Sequence, residues 1–564
     1  MQFTGAQIMM KVLKEEKVET IFGYPGGAVL DIYNELLNTD FAHILVRQEQ
    51  GAVHAADAYA RVSGKTGVCL VTSGPGATNT ITGIASAYCD SIPVVIFTGQ
   101  VPTPLIGNDA FQEVDIVGIS RPCTKHNYLV KDVRDLAGVI REAFYIARSG
   151  RPGPVLIDMP KDVINAKTTY EPPKPMALKS YNPTYEPNVK QLKKVIDLVK
   201  TAKKPVIFSG GGIIFSGAAK ELTRFAQKAR IPVTSTLMGL GAFPATDDLW
   251  LGMPGMHGTY RANLSLSSCD LLIAVGVRFD DRVTGKTSEF ATNATIVHID
   301  IDPTSIQKNV RVAIPIVGDC KAAMARLNKM ADEDKDLLSD KVKKERTAWA
   351  KQIADWKKTK PLAYTQTDVI KPQYVVEQLY ELTKGQAIIT TEVGQNQMWA
   401  AQYYHYTWPG QFITSGGLGV MGFGLPAAVG AQVAAPDKVV IDIAGDGSIQ
   451  MNIQEMMTAV SHNLPVKIAI LNNGFLGMVR QWQELFYDRR YAWTDMTAAP
   501  DFVKLAEAYG AVGLRATKPS EVAKVIKKAL ATPKPVIMDF VVEKEENVYP
   551  MVPAGSPITN MILV

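Results

Sequence analysis

The sequence predicts an α/β protein of three domains, each a mostly parallel sheet flanked by helices. Short apolar strands alternate with helical segments along nearly the whole chain, and this alternation is typical of parallel sheets. A length of 564 residues is too great for one hydrophobic core and fits about three domains of ordinary size. Breaks rich in proline or charge, expected at 171–187 and 346–372, separate the three blocks.

The first domain is expected over residues 1–170. Its predicted strands are TIFGY, HILVR, VCLVTS, VVIFTG and PVLIDM. The N-terminal stretch MQFTGAQIMMKVLKEEKV is expected to enter an amphipathic helix at once. A glycine-rich turn, GPGATN, follows the third strand. The prolines of the 171–187 segment predict an extended surface linker after this domain.

The second domain is expected over residues 188–345, with strands PVIFSG, IPVTST, LLIAVG and ATIVHIDID. Gly210, Gly211 and Gly212 follow the first of these strands and precede a helix. Backbone amides at such a turn can bind an anion, although glycine-rich turns are common and this one is a weak signal. The charged stretch that follows is predicted to be part helix and part linker.

The third domain is expected over residues 373–543, with strands AIITTE, FITS, VVIDIA, VKIAILNN and PVIMDFVV. It looks like a second version of the first domain, because each has a glycine-rich turn directly after a strand. A C-terminal tail, 544–564, contains proline, glycine and apolar residues. The sequence leaves open whether this tail wraps another domain or caps the site.

The most informative segment runs from Val439 to Asn473. A strand ends in Gly445-Asp446-Gly447-Ser448, a helix is expected over about Asn452 to His462, and a second strand ends in Asn472-Asn473. Open α/β sheets bind ligands at the carboxyl ends of their strands. Carboxylate, amide and carbonyl oxygens suit Mg²⁺, which takes further ligands from substrate phosphates. The segment therefore predicts a metal-bridged diphosphate.

Composition excludes several other classes of protein. The net charge is only +5 and no long Lys/Arg run occurs, so nucleic acid and anionic membranes are not expected partners. No apolar stretch reaches the roughly 18 residues that span a bilayer. Five scattered cysteines without a CxxC pair and no predicted signal peptide favour a reduced, cytoplasmic protein.

The GDG…NN spacing resembles that of the thiamine diphosphate enzymes. Longer segments narrow the match to the catalytic subunits of the acetohydroxyacid (acetolactate) synthase family. The segments that carry this resemblance include GYPGGAVLDIYNEL, TSGPGATNTITGIASAY, RPGPVLIDMPKDV, STLMGLGAFP, GVRFDDRVTGK, SGGLGVMGFGLPAA and GMVRQWQELFY.

The resemblance implies a transferase that decarboxylates pyruvate and joins the remaining two-carbon unit to a second pyruvate or to 2-ketobutyrate. These reactions begin the synthesis of the branched-chain amino acids. The implied cofactors are thiamine diphosphate, Mg²⁺ and an FAD that takes no part in net redox. The family also implies a homodimer or larger assembly with active sites between subunits, and a possible small regulatory subunit.

For thiamine diphosphate, the resemblance assigns the first domain to the pyrimidine ring and the third to the diphosphate. Glu49 matches the carboxyl group that shares a proton with the pyrimidine nitrogen, a role that burial would assist. Met421 matches the apolar wedge that bends the cofactor. Gln48 and Asn396 stand where the family usually has His, so no proton relay is expected from either, and Asn396 is expected to donate to phosphate. The other implied contacts are Val393, Gly394, Gln395, Gly419, Gly447, Ser448 and Met478.

For the metal, the expected ligands are Asp446, Asn473 and the backbone carbonyl of Phe475. For FAD, the match implies a set of contacts from the second domain and a few from the third. They are Gly211, Gly212, Thr236, Leu237, Met238, Met256, His257, Gly276, Arg278, Asp280, Arg282, Asp300, Asp319, Gln397, Met398, Gly416 and Gly417.

Substrate selection is expected to depend on Arg282 and Trp482. A guanidinium can clamp the carboxylate of the second keto acid bidentately, and an indole can favour the extra methylene of 2-ketobutyrate. Phe111, Gln112 and Lys161 match family positions that line the site across the subunit interface. Two alternatives remain open from sequence: a pyruvate oxidase with a redox-active FAD, and a cofactor-binding scaffold without activity.

Overall fold

The computed structural model describes residues 2–172, 176 and 178–563. Within these residues the chain forms three parallel sheets with helices on both faces and one small antiparallel pair of strands. The expected α/β class and its three-sheet architecture are confirmed. Positions 173–175 and 177, which belong to the expected linker, lie outside the described residues.

The first sheet lies in the N-terminal third of the chain. Its strands are β2 (Thr20–Tyr24), β3 (Ala42–Leu45), β4 (Gly67–Val71), β5 (Val94–Gln100), β6 (His126–Leu129) and β7 (Val155–Pro160). The strands β1 (Gln2–Thr4) and β8 (Lys167–Thr169) form the separate antiparallel pair. The helices are α1 (Gly5–Glu15), α2 (Leu30–Leu36), α3 (Glu49–Ser63), α4 (Pro75–Thr78), α5 (Ile81–Asp90), α6 (Ile116–Ser120), α7 (Val133–Arg148) and α8 (Lys161–Asn165). Short 3₁₀ turns occupy Gly27–Val29, Thr103–Leu105 and Arg121–Cys123.

The second sheet has five strands in the order β10-β9-β11-β12-β13, all parallel. The strands are β9 (Pro205–Ser209), β10 (Val233–Ser235), β11 (Leu271–Val275), β12 (Thr295–Asp300) and β13 (Ile314–Val317). The helices are α9 (Val189–Thr201), α10 (Gly211–Phe215), α11 (Ala219–Ala229), α12 (Tyr260–Ser268), α13 (Asp281–Thr284), α14 (Cys320–Glu333) and α15 (Asp340–Thr359). Two 3₁₀ turns occupy Leu237–Gly239 and Thr287–Glu289.

The third sheet lies in the C-terminal third of the chain. The strands are β14 (Ile388–Thr391), β15 (Phe412–Ile413), β16 (Val440–Gly445), β17 (Lys467–Asn472), β18 (Val512–Ala516) and β19 (Val536–Val541). The helices are α16 (Pro372–Thr383), α17 (Gln395–Tyr403), α18 (Gly424–Ala434), α19 (Glu455–Ser461), α20 (Gly477–Phe486), α21 (Phe502–Ala508) and α22 (Pro519–Leu530). A 3₁₀ turn over Ile449–Asn452 precedes α19.

The first and third sheets have the same topology. Their orders are β3-β2-β4-β5-β7-β6 and β15-β14-β16-β17-β19-β18, and within each sheet all neighbouring strands run parallel. The two sheets meet through α3 and α18, whose backbones approach so closely that a Cβ at Gly430 would overlap the carbonyl oxygen of Ala55. A glycine is therefore required at this crossing.

Several local expectations are corrected. The chain does not enter a helix at once, because β1 precedes α1 and pairs with β8. The helix expected over 452–462 begins as a 3₁₀ turn and becomes α-helical only at Glu455. The helix α15 runs through residue 346, where the sequence placed the start of a linker, and buries Trp349 and Ile353 against the second sheet.

The C-terminal tail connects the third sheet to the second. Val548 packs in the core beside the third sheet, and the Nε2 of Gln481 donates to its carbonyl oxygen at 3.0 Å. Further along, Ile558 packs in the core of the second sheet, and the amide of Val552 donates to the carbonyl of Met256 at 2.8 Å. The tail therefore wraps another domain.

None of the described helices is long and apolar enough to cross a bilayer.

Candidate active site at the carboxyl ends of three sheets

The carboxyl edge of the third sheet holds the residues of the predicted diphosphate site. Asp446 follows β16 and Asn473 follows β17, and both line a small cavity of about 80 Å³. The Asp446 Oδ1 accepts weakly from the Asn473 amide at 3.4 Å, whereas its buried Oδ2 has no hydrogen-bond partner among the described residues. Burial raises the pKa of Asp446 to about 7. A buried, unpartnered carboxylate oxygen is costly unless a cation satisfies it, so this group fits a hard divalent metal.

The other predicted metal ligands flank the same cavity. The Asn473 Oδ1 accepts from the Phe475 amide at 3.1 Å, and Phe475 lines the cavity wall. Gly447 and Ser448 lie on the opposite side of the turn, where the Ser448 Oγ donates to the Gly445 carbonyl at 3.3 Å. The structure therefore brings the predicted metal and diphosphate residues of the GDG turn together.

Two side chains expected to contact diphosphate make other bonds. The Asn396 Nδ2 donates to the carbonyls of Glu392 at 2.9 Å and Ile443 at 2.8 Å. Both side-chain amide hydrogens of Asn396 are thereby directed to the protein backbone in this structure, and the expected donation to phosphate stays a prediction. Gln395 donates through Nε2 to the Gln481 Oε1 at 2.9 Å. Both residues still line the cavity, together with Val393 and Gly394.

Met421 lines the same cavity from a turn that contains two glycines with positive φ. Gly419 and Gly422 on either side have φ of 76° and 88°, values that only glycine adopts readily. Met421 is half-buried and lines the small cavity with Asp446. Gly419 lines a second, larger cavity next to it.

The larger cavity, of about 550 Å³, lies where all three sheets meet. It contains nearly the whole predicted FAD set and also residues predicted for thiamine diphosphate and substrate. The predicted residues that line it are Gly211, Gly212, Thr236, Leu237, Met238, Met256, His257, Gly276, Arg278, Asp280, Arg282, Asp300, Val393, Gly394, Gln397, Met398, Gly416, Gly417, Gly419, Met478 and Trp482.

The second-sheet wall of this cavity brings two glycine turns together with Arg278 and Asp300. A Cβ at Gly212 would come within 2.6 Å of the Gly276 Cα, so the two turns can approach only as glycines. The guanidinium of Arg278 makes no ion pair among the described residues, which leaves it available to a phosphate. Asp300 closes β12, and burial raises its pKa to about 6. Asp319 does not line the cavity, because it caps α14 by accepting from the Ala322 amide.

His257 is neutral in this wall. It is buried, its Nδ1 lies 3.3 Å from the Pro550 carbonyl, and burial lowers its pKa to about 4. A neutral imidazole contributes shape and hydrogen bonding at physiological pH, with no positive charge for a phosphate.

Arg282 and Trp482 lie on this one cavity although they are 200 positions apart in the chain. Arg282 is on α13 with 61% of its side chain exposed, and its one ion-pair partner among the described residues is the exposed Asp281 at 3.3 Å. Trp482 is on α20, half-buried, with Phe486 stacked edge-on at 5.7 Å. Met478, one turn earlier on α20, lines both cavities and joins them.

The first sheet gathers a separate group at its own carboxyl edge. Glu49 begins α3 half-buried, and its Oε2 accepts from the Asn79 Nδ2 at 2.9 Å. A Cβ at Gly74 would come within 3.0 Å of Gln112, and the buried Oγ1 of the nearby Thr72 has no hydrogen-bond partner among the described residues.

Lys161 and Phe111 lie on the same edge of the first sheet. The Lys161 Nζ donates to the Gly27 carbonyl at 3.2 Å, and Phe111 is 88% exposed. Glu49, Phe111, Gln112 and Lys161 line neither of the two cavities above. Within one chain, the structure therefore does not bring the predicted first-sheet residues together with Asp446.

Sequence reasoning missed several residues that organise the site. Asp90 of the first sheet accepts from the amides of Gly416 at 3.1 Å and Gly417 at 2.7 Å. Arg151 lines the larger cavity and donates to Ser91 at 2.8 Å. Their only signal in the sequence was a charged residue just after an apolar helix or before a strand, which is too common to single out.

Comparison with known proteins agrees with this geometry. The chain matches the thiamine pyrophosphate enzyme N-terminal TPP binding domain over residues 3–119, the central domain over 192–327 and the C-terminal TPP binding domain over 392–540. It is 50% identical to the acetolactate synthase large subunit of Haemophilus influenzae, covering 100% of this chain and 98% of that protein.

Two further relatives extend the comparison. The acetolactate synthase isozyme 3 large subunit of Escherichia coli is 49% identical over 99% of this chain and 98% of its own length. The chloroplastic acetolactate synthase 1 of Nicotiana tabacum is 48% identical over 99% of this chain and 84% of its own length. Full-length identity at this level, together with the three matched domains, shows that the chain belongs to the acetolactate synthase family of thiamine diphosphate enzymes.

Proposed function

We propose that this chain condenses two pyruvates to 2-acetolactate, or pyruvate with 2-ketobutyrate to 2-aceto-2-hydroxybutyrate, with release of CO₂. The observation that carries the proposal is the shared cavity of Arg282 and Trp482. A guanidinium for a carboxylate and an indole for a short alkyl chain stand beside the residues assigned to thiamine diphosphate. This pairing suits a second 2-keto acid as acceptor.

The residues assigned to hold Mg²⁺ and diphosphate are those of the small cavity. Asp446, the Asn473 amide oxygen and the Phe475 carbonyl are hard oxygen donors, and the unpartnered Asp446 Oδ2 supports a cation at this point. The backbone of Gly447 and the side chain of Ser448 would face the phosphates. Mg²⁺ would neutralise the diphosphate charge and fix its position.

Thiamine diphosphate, when bound, supplies a carbon nucleophile that can attack the keto group of pyruvate. Glu49 would hold a proton at the pyrimidine ring nitrogen, and its half-buried position beside Asn79 keeps that carboxyl oriented. Met421 would press on the cofactor from below. Arg282 would orient the acceptor carboxylate, and the apolar walls from Met478 and Trp482 would exclude water while the new bond forms.

FAD is assigned to the larger cavity, where Arg278 and the Gly212–Gly276 contact support a dinucleotide. Its assigned role is structural. If the chain were instead a pyruvate oxidase, anaerobic pyruvate would bleach the flavin stoichiometrically. We expect the 450 nm absorbance to persist while acetolactate accumulates.

We also propose that the working unit is a homodimer or a larger assembly in the cytoplasm. Glu49 lines neither cavity of its own chain, whereas Asp446 lines the small one, which supports a second copy completing the site. Exposed aromatic side chains such as Phe111 and Trp493 (97% exposed) support a large buried interface. The large-subunit names of the relatives suggest a small regulatory partner. The domain divisions given above remain part of this proposal, with α15 as the last element of the second domain.

One competition experiment tests the activity. Purified protein with thiamine diphosphate, Mg²⁺ and FAD receives equal pyruvate and 2-ketobutyrate, and both hydroxyacid products are quantified. We expect both products, with the 2-ketobutyrate product in excess. Absence of both products with all three cofactors present would contradict the proposed function and favour the inactive scaffold.

A further inference from the structure

Glu392 is a fully buried carboxyl group that the mechanism above does not use. It follows β14 directly and precedes Val393 and Gly394, which line both cavities. Among the described residues, no Lys, Arg or His lies within 4.0 Å to form an ion pair with it. A buried carboxylate without a cation must be satisfied by hydrogen bonds.

Those hydrogen bonds come from the backbone that leads into α18. The Glu392 Oε2 accepts from the Gly422 amide at 2.6 Å, and Oε1 accepts from the Leu425 amide at 3.2 Å. The N-cap residue of α18, Phe423, offers no side-chain cap of its own. Glu392 therefore caps this helix from a neighbouring strand, where the helix dipole favours a negative charge.

Met421 directly precedes the backbone segment that Glu392 holds, Gly422–Leu425. Because Gly419 and Gly422 both have positive φ, the conformation of this turn is not imposed by its own residues. Two side chains from elsewhere hold Gly422: Glu392 accepts from its amide, and the Asn452 Nδ2 donates to its carbonyl at 2.6 Å. The placement of Met421 thus depends on Glu392, which lines neither of the two cavities.

Asp442 is the neighbour of Glu392 on β16. Its Oδ1 accepts from the Thr390 Oγ1 at 3.3 Å, and its Oδ2 has no partner among the described residues. Burial and the nearby Glu392 charge raise the pKa of Asp442 well above its usual range. Two adjacent buried carboxyls do not both ionise. Burial also raises the pKa of Glu392, to about 8, although its backbone donors oppose that shift. Because Glu392 has these donors, Asp442 is the member of the pair that keeps its proton more strongly.

We propose that Glu392 is a positioning residue whose buried carboxyl group accepts from the Gly422 and Leu425 amides and thereby fixes Met421 in the small cavity. The role of Met421 rests on the proposed function, but the clamp itself is a property of this chain alone. Losing the clamp should therefore affect turnover more than the binding of pyruvate or of the cofactor.

The test compares Glu392→Gln with Asp442→Asn, the same chemical change at neighbouring positions. A glutamine offers one acceptor oxygen and one NH₂ group, so one backbone amide loses its acceptor. We expect kcat for acetolactate to fall about tenfold to hundredfold in Glu392→Gln, with little change in the KM for pyruvate. Asp442→Asn replaces one neutral group by another and should keep kcat near the wild-type value.

Hydrogen–deuterium exchange gives a readout that needs no cofactor. The amides of the Gly422–Leu425 segment should lose protection in Glu392→Gln and keep it in Asp442→Asn. The inference would be overturned if Glu392→Gln kept both the wild-type protection and the wild-type kcat. It would also be overturned if both variants lost protection and kcat to the same extent. If the melting temperature and the cofactor affinity both fall together with kcat, Glu392 has a structural role only.

Two outcomes, an unfolded variant and an inactive wild-type protein, need a further measurement. If Glu392→Gln does not fold, Glu392→Asp keeps the carboxyl group but shortens the side chain, and it should lose the same protection. If the wild-type protein makes no acetolactate, the proposed function fails, whereas the exchange measurement still decides whether the clamp exists.

Discussion

The first and third sheets have one topology and different chemistry. Both have six strands in the same relative order, and both place functional residues on the loops after the strands. The first sheet presents a half-buried Glu49 that accepts from an amide. The third presents the buried Asp446, whose pKa is raised to about 7 and whose second oxygen has no partner among the described residues.

This difference shows how one scaffold supplies two halves of a site. Parallel strands bring their following loops to one edge regardless of the loop sequence. Which group a loop binds depends on its own residues and their burial. The predictions below separate the two halves, from the largest expected effect to the smallest.

The largest effect should come from the first sheet. Glu49→Gln removes the carboxyl that shares a proton with the cofactor, so kcat should fall about 10²- to 10⁴-fold while cofactor binding persists. Steady-state acetolactate formation and fluorescence titration with thiamine diphosphate measure the two quantities. Glu35→Gln is the control, since Glu35 is also half-buried and accepts from a carboxamide, that of Gln7. Unchanged turnover in Glu49→Gln would remove Glu49 from the mechanism.

The second effect tests the third sheet. Asp446→Asn replaces the charged metal ligand by a neutral one, so the Mg²⁺ concentration for half-maximal activity should rise at least about tenfold. Titration of the metal-free protein with Mg²⁺ measures this shift. Asp495→Asn is the control, because Asp495 pairs with Phe475 through a β-bridge while its carboxylate accepts only from Thr497. An unshifted Mg²⁺ titration would place the metal elsewhere.

A third, smaller effect concerns the acceptor pocket that serves both halves. Trp482→Leu should reduce the preference for 2-ketobutyrate over pyruvate about tenfold or more, because the proposed role of the indole is to contact the extra methylene. The ratio of the two products at equal substrate concentrations measures this preference. Phe486→Leu removes the ring that stacks on Trp482 and should change the ratio much less. Equal ratios in all three proteins would exclude Trp482 from acceptor selection.

The smallest effect tests the contact between the two sheets. Both carboxylate oxygens of Glu455, on α19, accept from the Arg47 amide, two residues before Glu49. Burial raises the pKa of Glu455 to about 6, above the value of about 4.3 in an unfolded chain. The stability from Glu455 is therefore complete below about pH 4.3 and is lost as the pH rises through about 6.

Glu455→Gln lacks this titration. Its melting temperature relative to wild type should therefore increase between about pH 4.5 and 7, as measured by differential scanning calorimetry. Glu521→Gln should show the opposite sign, because backbone amides of Thr517 and Lys518 lower the pKa of the exposed Glu521. A pH-independent difference for Glu455→Gln would mean that its carboxyl is not buried from water.

The strands missed from sequence all lie at sheet edges, although the edge strands β3, β10 and β15 were predicted. β6, β13 and β18 each lie at the end of a sheet. β13 contains Pro315 and β18 contains Gly513 and Arg515, residue types that interior strands avoid and edges tolerate. An edge strand has only one neighbour, so its sequence tolerates residues that a central strand excludes, and such residues make the strand harder to detect.

The site residues likewise divide into those that the sequence predicted and those that it did not. Asp446 and Asn473 were predictable because a glycine-flanked carboxylate and a paired amide follow consecutive buried strands. The role of Asn396 was not, because its hydrogen-bond acceptors are backbone carbonyls of Glu392 and, 47 positions away in sequence, Ile443. Asp319 was expected at the flavin cavity, but its position at the start of α14 directs its carboxylate to the helix amides instead.

The sequence by itself determined the three-sheet class, the GDG turn and the family, since these depend on local periodicity and on long matched segments. Only the tertiary structure decided that Arg282 and Trp482 share one cavity, that the tail returns to the second sheet, and that Glu392 caps α18. The reason is physical: strand and turn propensities act over a few residues, whereas a cavity or a buried carboxylate is defined by groups that folding brings together from distant parts of the chain.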